Sequence, residues 1–162
     1  MLYKRIVFVM VLGTVLLAPV TARSEDNKVL VRRYFAEVLN KGNLAAVEEF
    51  VAPTYIGHLP GAPDAKGPDD LKQRLTALRT AFPDLSETIE DMVAEGDKVV
   101  VRNTLRGTHR GDFMGIAPTG KEVTWTTIGI LRIGNGKFQE SWIISNLSQQ
   151  LRLLSAQGQS KP

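Results

Sequence analysis

Cysteine is absent from all 162 residues, so neither disulfides nor the lipid-modified N-terminus of bacterial lipoproteins is available. The chain must hold itself together by packing. It also lacks a phosphate-binding Gly-rich loop, His/Glu metal spacing, a Gly-x-Ser-x-Gly nucleophile and internal repeats. No cofactor or metal is therefore implied, and a Ser/His/Asp hydrolase is a poor fit. No like-charge run exceeds a few residues, which argues against a nucleic-acid partner. Only one long hydrophobic run is present, Ile6 to Leu17, and it falls short of the roughly 20 apolar residues that span a bilayer.

That run has its own meaning. Lys4 and Arg5 precede it, and Val20-Thr21-Ala22 follows as a small-residue cleavage pattern, so residues 1–22 read as a secretory signal. Cleavage after Ala22 predicts a secreted or periplasmic protein with no stable membrane association. Without Lys4 and Arg5 the remainder carries 18 basic against 17 acidic side chains. Residues 23–157 are long enough for one domain around one core, and 158–162 read as a flexible tail.

The C-terminal half is strand-like. Lys98 to Thr108 sets Val99, Val101, Asn103 and Leu105 against Val100, Arg102, Thr104 and Arg106, a period of two with one apolar and one polar face. Glu122 to Ile133 is rich in β-branched residues. Phe138 to Asn146 places Phe138, Glu140, Trp142, Ile144 and Asn146 on one face. Asn135-Gly136 between these runs tolerates positive φ at both central positions and predicts a two-residue hairpin. With Leu85 to Ala94, these runs make four strands of a curved antiparallel sheet.

The N-terminal half is helical by spacing. Leu30, Val31, Tyr34, Phe35, Val38 and Leu39 recur along one stripe after the cap candidates Asp26 and Asn27. A second helix would bury Leu44, Val47, Phe50 and Val51, and a third would open at Gly67-Pro68-Asp69-Asp70 and present Leu71, Leu75, Leu78 and Phe82. The intervening Thr54 to Lys66 reads as a 13-residue loop, a length that is often functional. Leu147, Leu151 and Leu154 predict a short terminal helix. Helices followed by antiparallel strands give an α+β fold. Three N-terminal helices on the concave face of the sheet would make a cone around an apolar pocket. Leu30, Phe35, Leu71, Leu75, Phe82, Val99, Val101, Ile128, Ile130 and Trp142 are expected to be buried around it.

The string Val99-Val100-Val101-Arg102, Gly107-Thr108-His109, Gly111-Asp112-Phe113, Gly115-Ile116, Pro118-Thr119-Gly120-Lys121, Arg132-Ile133, Asn135-Gly136-Lys137, Glu140 and Trp142 resembles the SnoaL-like polyketide cyclase and ester cyclase family. The resemblance implies the cone-shaped fold of nuclear transport factor-like and ketosteroid isomerase-like proteins, a closed pocket, no metal and a homodimer. The polar face carrying Arg102, Thr104, Gln139, Ser141, Ile143 and Ser145 would form the dimer contact. The family's cyclases use an acid/base aspartate near the end of the last strand. The corresponding position here is Asn146.

An amide cannot move a proton as a carboxylate does. Asn146 can orient a carbonyl or enolate oxygen, or simply cap the terminal helix. The two histidines titrate near neutrality: His109 follows Leu105 and Gly107 on the apolar parity, and His58 sits in the long loop. Each serves either as a general acid/base or as a hydrogen-bonded structural residue. Tyr34, Phe35, Tyr55, Asn103, Phe113 and Trp142 are the expected substrate-binding lining. Two functions remain open: an exported, cofactor-free cyclase or isomerase acting next to a carbonyl, and a non-catalytic binding domain for an apolar small molecule.

Overall fold

The computed structural model describes residues 20–159, with side chains over 23–156. The basic and apolar parts of the leader lie outside the described residues. Helix α1, Val20–Tyr34, starts upstream of Asp26 and Asn27 and runs into a π-helical turn, Phe35–Asn40. Its buried stripe is Val31, Tyr34, Phe35, Val38 and Leu39, the predicted spacing. Asn27 does not cap the helix; its side chain donates to Gly96 O at 3.3 Å and ties α1 to the turn after β3. A 3-10 turn, Leu44–Ala46, leads into the single turn α2, Val47–Phe50.

The chain then departs from the reading of its sequence. Val51–His58 is a strand, β1, and Ala65–Lys66 is a short strand, β2, where a helix end and a 13-residue loop were expected. Pro53 and Gly57 mask β1, because both residue types weaken a strand signal. Helix α3, Gly67–Ala81, opens as predicted with Pro68 in its first turn; β3, Ser86–Glu95, β4, Lys98–Thr108, β5, Glu122–Gly134, β6, Lys137–Ser145 and α4, Leu147–Gln159, complete the chain. Residues 158 and 159, read as tail, belong to α4.

The six strands form one curved sheet in the order β2-β1-β6-β5-β4-β3. It is mixed, because β1 runs parallel to β6, pairing Gly57 with Ser141 and His58 with Trp142. The fold is the predicted α+β cone with that one correction. The β5–β6 hairpin turns at Asn135 and Gly136, both at positive φ, 52° and 69°.

A bulge decides which side chains face inward. The β5–β6 register passes from Ile133↔Phe138 to Arg132↔Glu140, which leaves Gln139 as an extra residue on β6. Strand parity therefore inverts after Phe138. Ser141, Ile143 and Ser145 join Phe138 on the concave side, whereas Glu140, Trp142 and Ile144 face outward. The expected burial of Trp142, Ile128 and Ile130 is overturned: they are exposed on the convex face with Val100 and Ile144. Leu30, Leu71 and Leu75 are only half-buried, packed on the rim of the core. The proposed dimer set is split between the two faces by the same bulge.

The core has two parts. One joins α1 and α2 to Val99, Val101, Leu131, Ile133 and Phe138; the other gathers Phe82, Leu105, Trp125 and Leu151 where α4 closes the far end. Cross-strand register places the row Ile89–Asn103–Thr127–Ser145 between them on the concave face.

Candidate functional site

This row is where polarity enters the cone. Asn103, 2% exposed, donates through Nδ2 to Thr127 Oγ1 at 3.4 Å, and its Oδ1 is buried without a partner. In the next row, Glu87 lies opposite Leu105 on β3, diagonal to Asn103, a placement that separates Cα atoms by about 7–8 Å. The Glu87 backbone is clamped from both sides by the side chain of Asn40, at the end of the π-helical turn: Glu87 N donates to Asn40 Oδ1 at 2.7 Å, and Asn40 Nδ2 donates to Glu87 O at 3.0 Å. Its carboxyl is buried, Oε2 has no partner, and burial pushes its pKa up to about 8.

Two phenols share this interior. Tyr55, inward on β1, makes a 2.6 Å hydrogen bond with Ser141 Oγ. Tyr34 packs edge-on against Phe35, Phe50 and Phe138. Burial raises its pKa, and Tyr55 and then Glu87 add to that rise, so Tyr55 and Glu87 each lie within electrostatic reach of Tyr34. Of the sequence candidates, the structure brings together Tyr34, Phe35, Tyr55 and Asn103. It adds Glu87, which had not been singled out, and Ser141, which had been assigned to the dimer face. Glu87 was legible in principle, since Leu85, Glu87 and Ile89 share one parity of their strand. Ser141 was not, because the bulge hides its orientation.

His109 sits elsewhere. It has no exposed surface, stacks on Phe82 at 5.3 Å and belongs with Phe113 to the far-end cluster. Its Nδ1 accepts from Thr119 N at 3.3 Å, which leaves the proton on Nε2, a buried atom without a partner. Burial lowers its pKa, opposed by Asp112. Its main chain bonds Lys121 and Gly120, closing the long β4–β5 loop.

His58 is on the convex side, at the end of β1, stacked on Trp142 at 5.5 Å. Its Nδ1 meets Asp64 Oδ1 at 2.9 Å and its Nε2 meets Glu140 Oε1 at 3.1 Å, while Glu140 Oε2 accepts from Arg132 Nε and Nη2. Glu140 and then Asp64 raise its pKa through these bonds. An imidazolium held by two carboxylates has no free nitrogen with which to attack or receive a proton. This pair borders an open cleft of about 440 Å³ under the 59–64 segment.

Asn146 stands between β6 and α4. Its Oδ1 accepts from Thr126 N at 2.9 Å, its own N donates to Thr126 O, and Gln150 N donates to its carbonyl, closing the first turn of α4. The side chain is thus engaged with the β5 backbone. Among the described residues no group of three His, Asp or Glu side chains could hold a metal ion, and no helix is long and apolar enough to cross a membrane.

With this geometry in view, the likenesses to other proteins are consistent with one another. The family model described as SnoaL-like polyketide cyclase matches residues 29–154. Aklanonic acid methyl ester cyclase DauD of Streptomyces sp. (strain C5) is 32% identical over 114 residues, 68% of this chain and 70% of that protein. The structure of IdmH, a putative polyketide cyclase from Streptomyces antibioticus, aligns with a TM-score of 0.70 at 31% identity, over 80% of this chain and 98% of that one. That of AclR, a putative hydroxylase from Streptomyces galilaeus, aligns with a TM-score of 0.72 at 28% identity, over 82% and 98%.

Proposed function

This chain belongs to the SnoaL-like polyketide cyclase family, and from that premise we propose that it is an exported protein whose cone takes a small apolar molecule bearing a carbonyl and moves a proton next to that carbonyl without a cofactor. The observation that carries this reading is the concave row Ile89–Asn103–Thr127–Ser145, set between two apolar clusters with Asn103 Oδ1 left unpaired. A buried acceptor without a donor costs stability, on the order of 1–3 kcal/mol, and a ligand hydroxyl would satisfy it. A relative described as a methyl ester cyclase and a structural neighbour described as a putative polyketide cyclase support the carbonyl-bearing class.

The second reading, a binding domain without chemistry, is favoured by a different observation. The inward residues of β6 after the bulge are Ser141, Ile143 and Ser145, none of which titrates in the working range. For export, residues 1–22 supply the support. For a homodimer, the convex face offers Val100, Ile128, Ile130, Trp142 and Ile144 as exposed apolar surface, and that face replaces the polar set first considered.

A crystal structure with an aromatic polyketide ester tests the cone. The expected result places a ligand oxygen within hydrogen-bond distance of Asn103. A ligand seated only in the convex cleft beside His58 and Trp142 would overturn it.

A further inference from the structure

Resting on that reading of the cone, we propose that Glu87 is the proton-carrying residue of the site: its carboxylate removes a proton from the carbon next to the carbonyl of a bound neutral ligand, while Asn103 Oδ1 accepts from a hydroxyl of the same ligand. The placement is specific. Glu87 faces inward on β3, one row from Asn103, with Oε2 buried and free of any partner. Asn40 fixes the Glu87 main chain through two hydrogen bonds, so the carboxyl is delivered by a clamped backbone and not by a mobile loop. A π-helical turn, here the one that ends at Asn40, is a device often found at functional sites.

The surroundings define the base. Tyr34 from α1 is the titratable group within electrostatic reach of it, Leu105 and Asn103 stand beside it on β4, and burial alone accounts for its raised pKa. A carboxyl that titrates at about 8 is a far stronger base, once ionised, than an ordinary glutamate, and it is still partly ionised at neutral pH. No cation among the described residues offsets that rise, so an anionic ligand would meet like charge and the fitting class is a neutral hydroxy-ketone or ester. In the step itself the C–H bond breaks, its electron pair becomes the C=C of the enolate, and the carbonyl π pair moves to oxygen. The proton held on Glu87 then returns to a carbon or oxygen of the same molecule. The carboxylate ends as it began, and no co-reactant is needed.

Neither histidine fits this role as well. Both nitrogens of His58 are engaged on the convex face, and His109 Nε2 lies in the far-end cluster with its proton already in place.

The test uses 2-tetralone, a neutral apolar ketone, in D2O. Saturation-transfer NMR reads binding, and loss of the α-proton signal reads enolisation. The wild-type protein is expected to bind it and to speed exchange by roughly 100-fold or more, with the rate rising with pH and levelling above about 8. Glu87→Gln, which keeps the shape of the protonated side chain, is expected to bind the ketone and lose that acceleration, while His58→Gln keeps it. Binding without exchange in the wild type, or full exchange in Glu87→Gln, overturns the role of Glu87 and leaves the cone reading standing. Absence of binding overturns both. A ligand-free check is the carbon-13 titration of labelled glutamate side chains: one carboxyl should titrate near 8 and vanish in Glu87→Gln, and a Glu87 signal titrating near 4.5 overturns the proposal.

Discussion

The two faces of the sheet treat polar groups in opposite ways. On the convex face Arg132, Glu140, His58 and Asp64 form a continuous chain of ion pairs, and Arg102 meets Asp91 across β3 and β4. Each charge there has an opposite charge and access to water. On the concave face Glu87 and Asn103 each bury an atom that nothing among the described residues satisfies. A protein selected for stability alone would not keep such atoms, because apolar residues in their place would remove the cost. The convex arrangement is self-contained; the concave one is completed by something else. Hence the histidine with more partners, His58, is the weaker candidate for chemistry, and an acid without partners is the stronger.

Replacing Glu87 with Gln gives the largest expected change. The folded-state pKa of Glu87, about 8, lies above its ordinary value of 4.5. Between these values the unfolded chain is ionised while the folded one keeps its proton, so the stability present below pH 4.5 is lost progressively as pH rises toward 8. Glu87→Gln should therefore be more stable than wild type by a few kcal/mol at pH 8, an order-of-magnitude figure, with the gain fading as pH falls to 4.5. Urea unfolding at pH 8, 6.5 and 4.5 reads this, and equal midpoints at every pH would make Glu87 an ordinary solvated acid.

Tyr55→Phe tests the satisfied part of the same interior. It strands Ser141 Oγ, buried opposite Gly57, and should cost about 1–3 kcal/mol without the pH dependence seen for Glu87. Opposite signs for Glu87→Gln and Tyr55→Phe at pH 8 would sharpen the contrast between a paired and an unpaired buried group. Stabilisation by both would mean that the interior as a whole is held open for a ligand.

Much of this architecture was legible in the residues. The alternation of Val99, Val101, Asn103 and Leu105 gave the concave face of β4, and Asn135-Gly136 gave the β5–β6 hairpin, because both signals are local. The face of β6 was not legible. One extra residue at Gln139 inverts the parity of everything after it, and nothing in Phe138-Gln139-Glu140 announces a bulge. Strand β1 escaped for another reason: its longer pairing partner, β6, lies more than 80 residues away, and a parallel contact leaves no hairpin signature. The site suffered accordingly, with Trp142 placed in a pocket it does not face and Ser141 assigned to the wrong surface. Attention to titrating side chains near neutrality led to the histidines, whereas burial made a glutamate titrate there instead.

Asn146→Ala isolates the end of the last strand. Losing the acceptor for Thr126 N should cost about 1 kcal/mol, read by thermal unfolding, while 2-tetralone exchange stays at the wild-type rate. A loss of exchange without a loss of stability would return Asn146 to the chemistry.

The smallest effect belongs to the convex network, and it is best read by titration. Glu140 and Asp64 hold the His58 pKa above 6.5, so the stability these bonds contribute is fully present below that value and is lost as pH rises through the raised one. Glu140→Gln removes the larger of the two causes and should bring the His58 ring resonances back toward titration at 6.5 in NMR. The remaining bond to Asp64 keeps the shift from vanishing. Exposed pairs are screened by water and salt, so raising the salt concentration should shrink the difference between wild type and variant on this face and leave the titration of buried Glu87 nearly untouched. If salt moved both titrations equally, Glu87 would have to be as solvated as His58, and the distinction between the two faces would fail at its root.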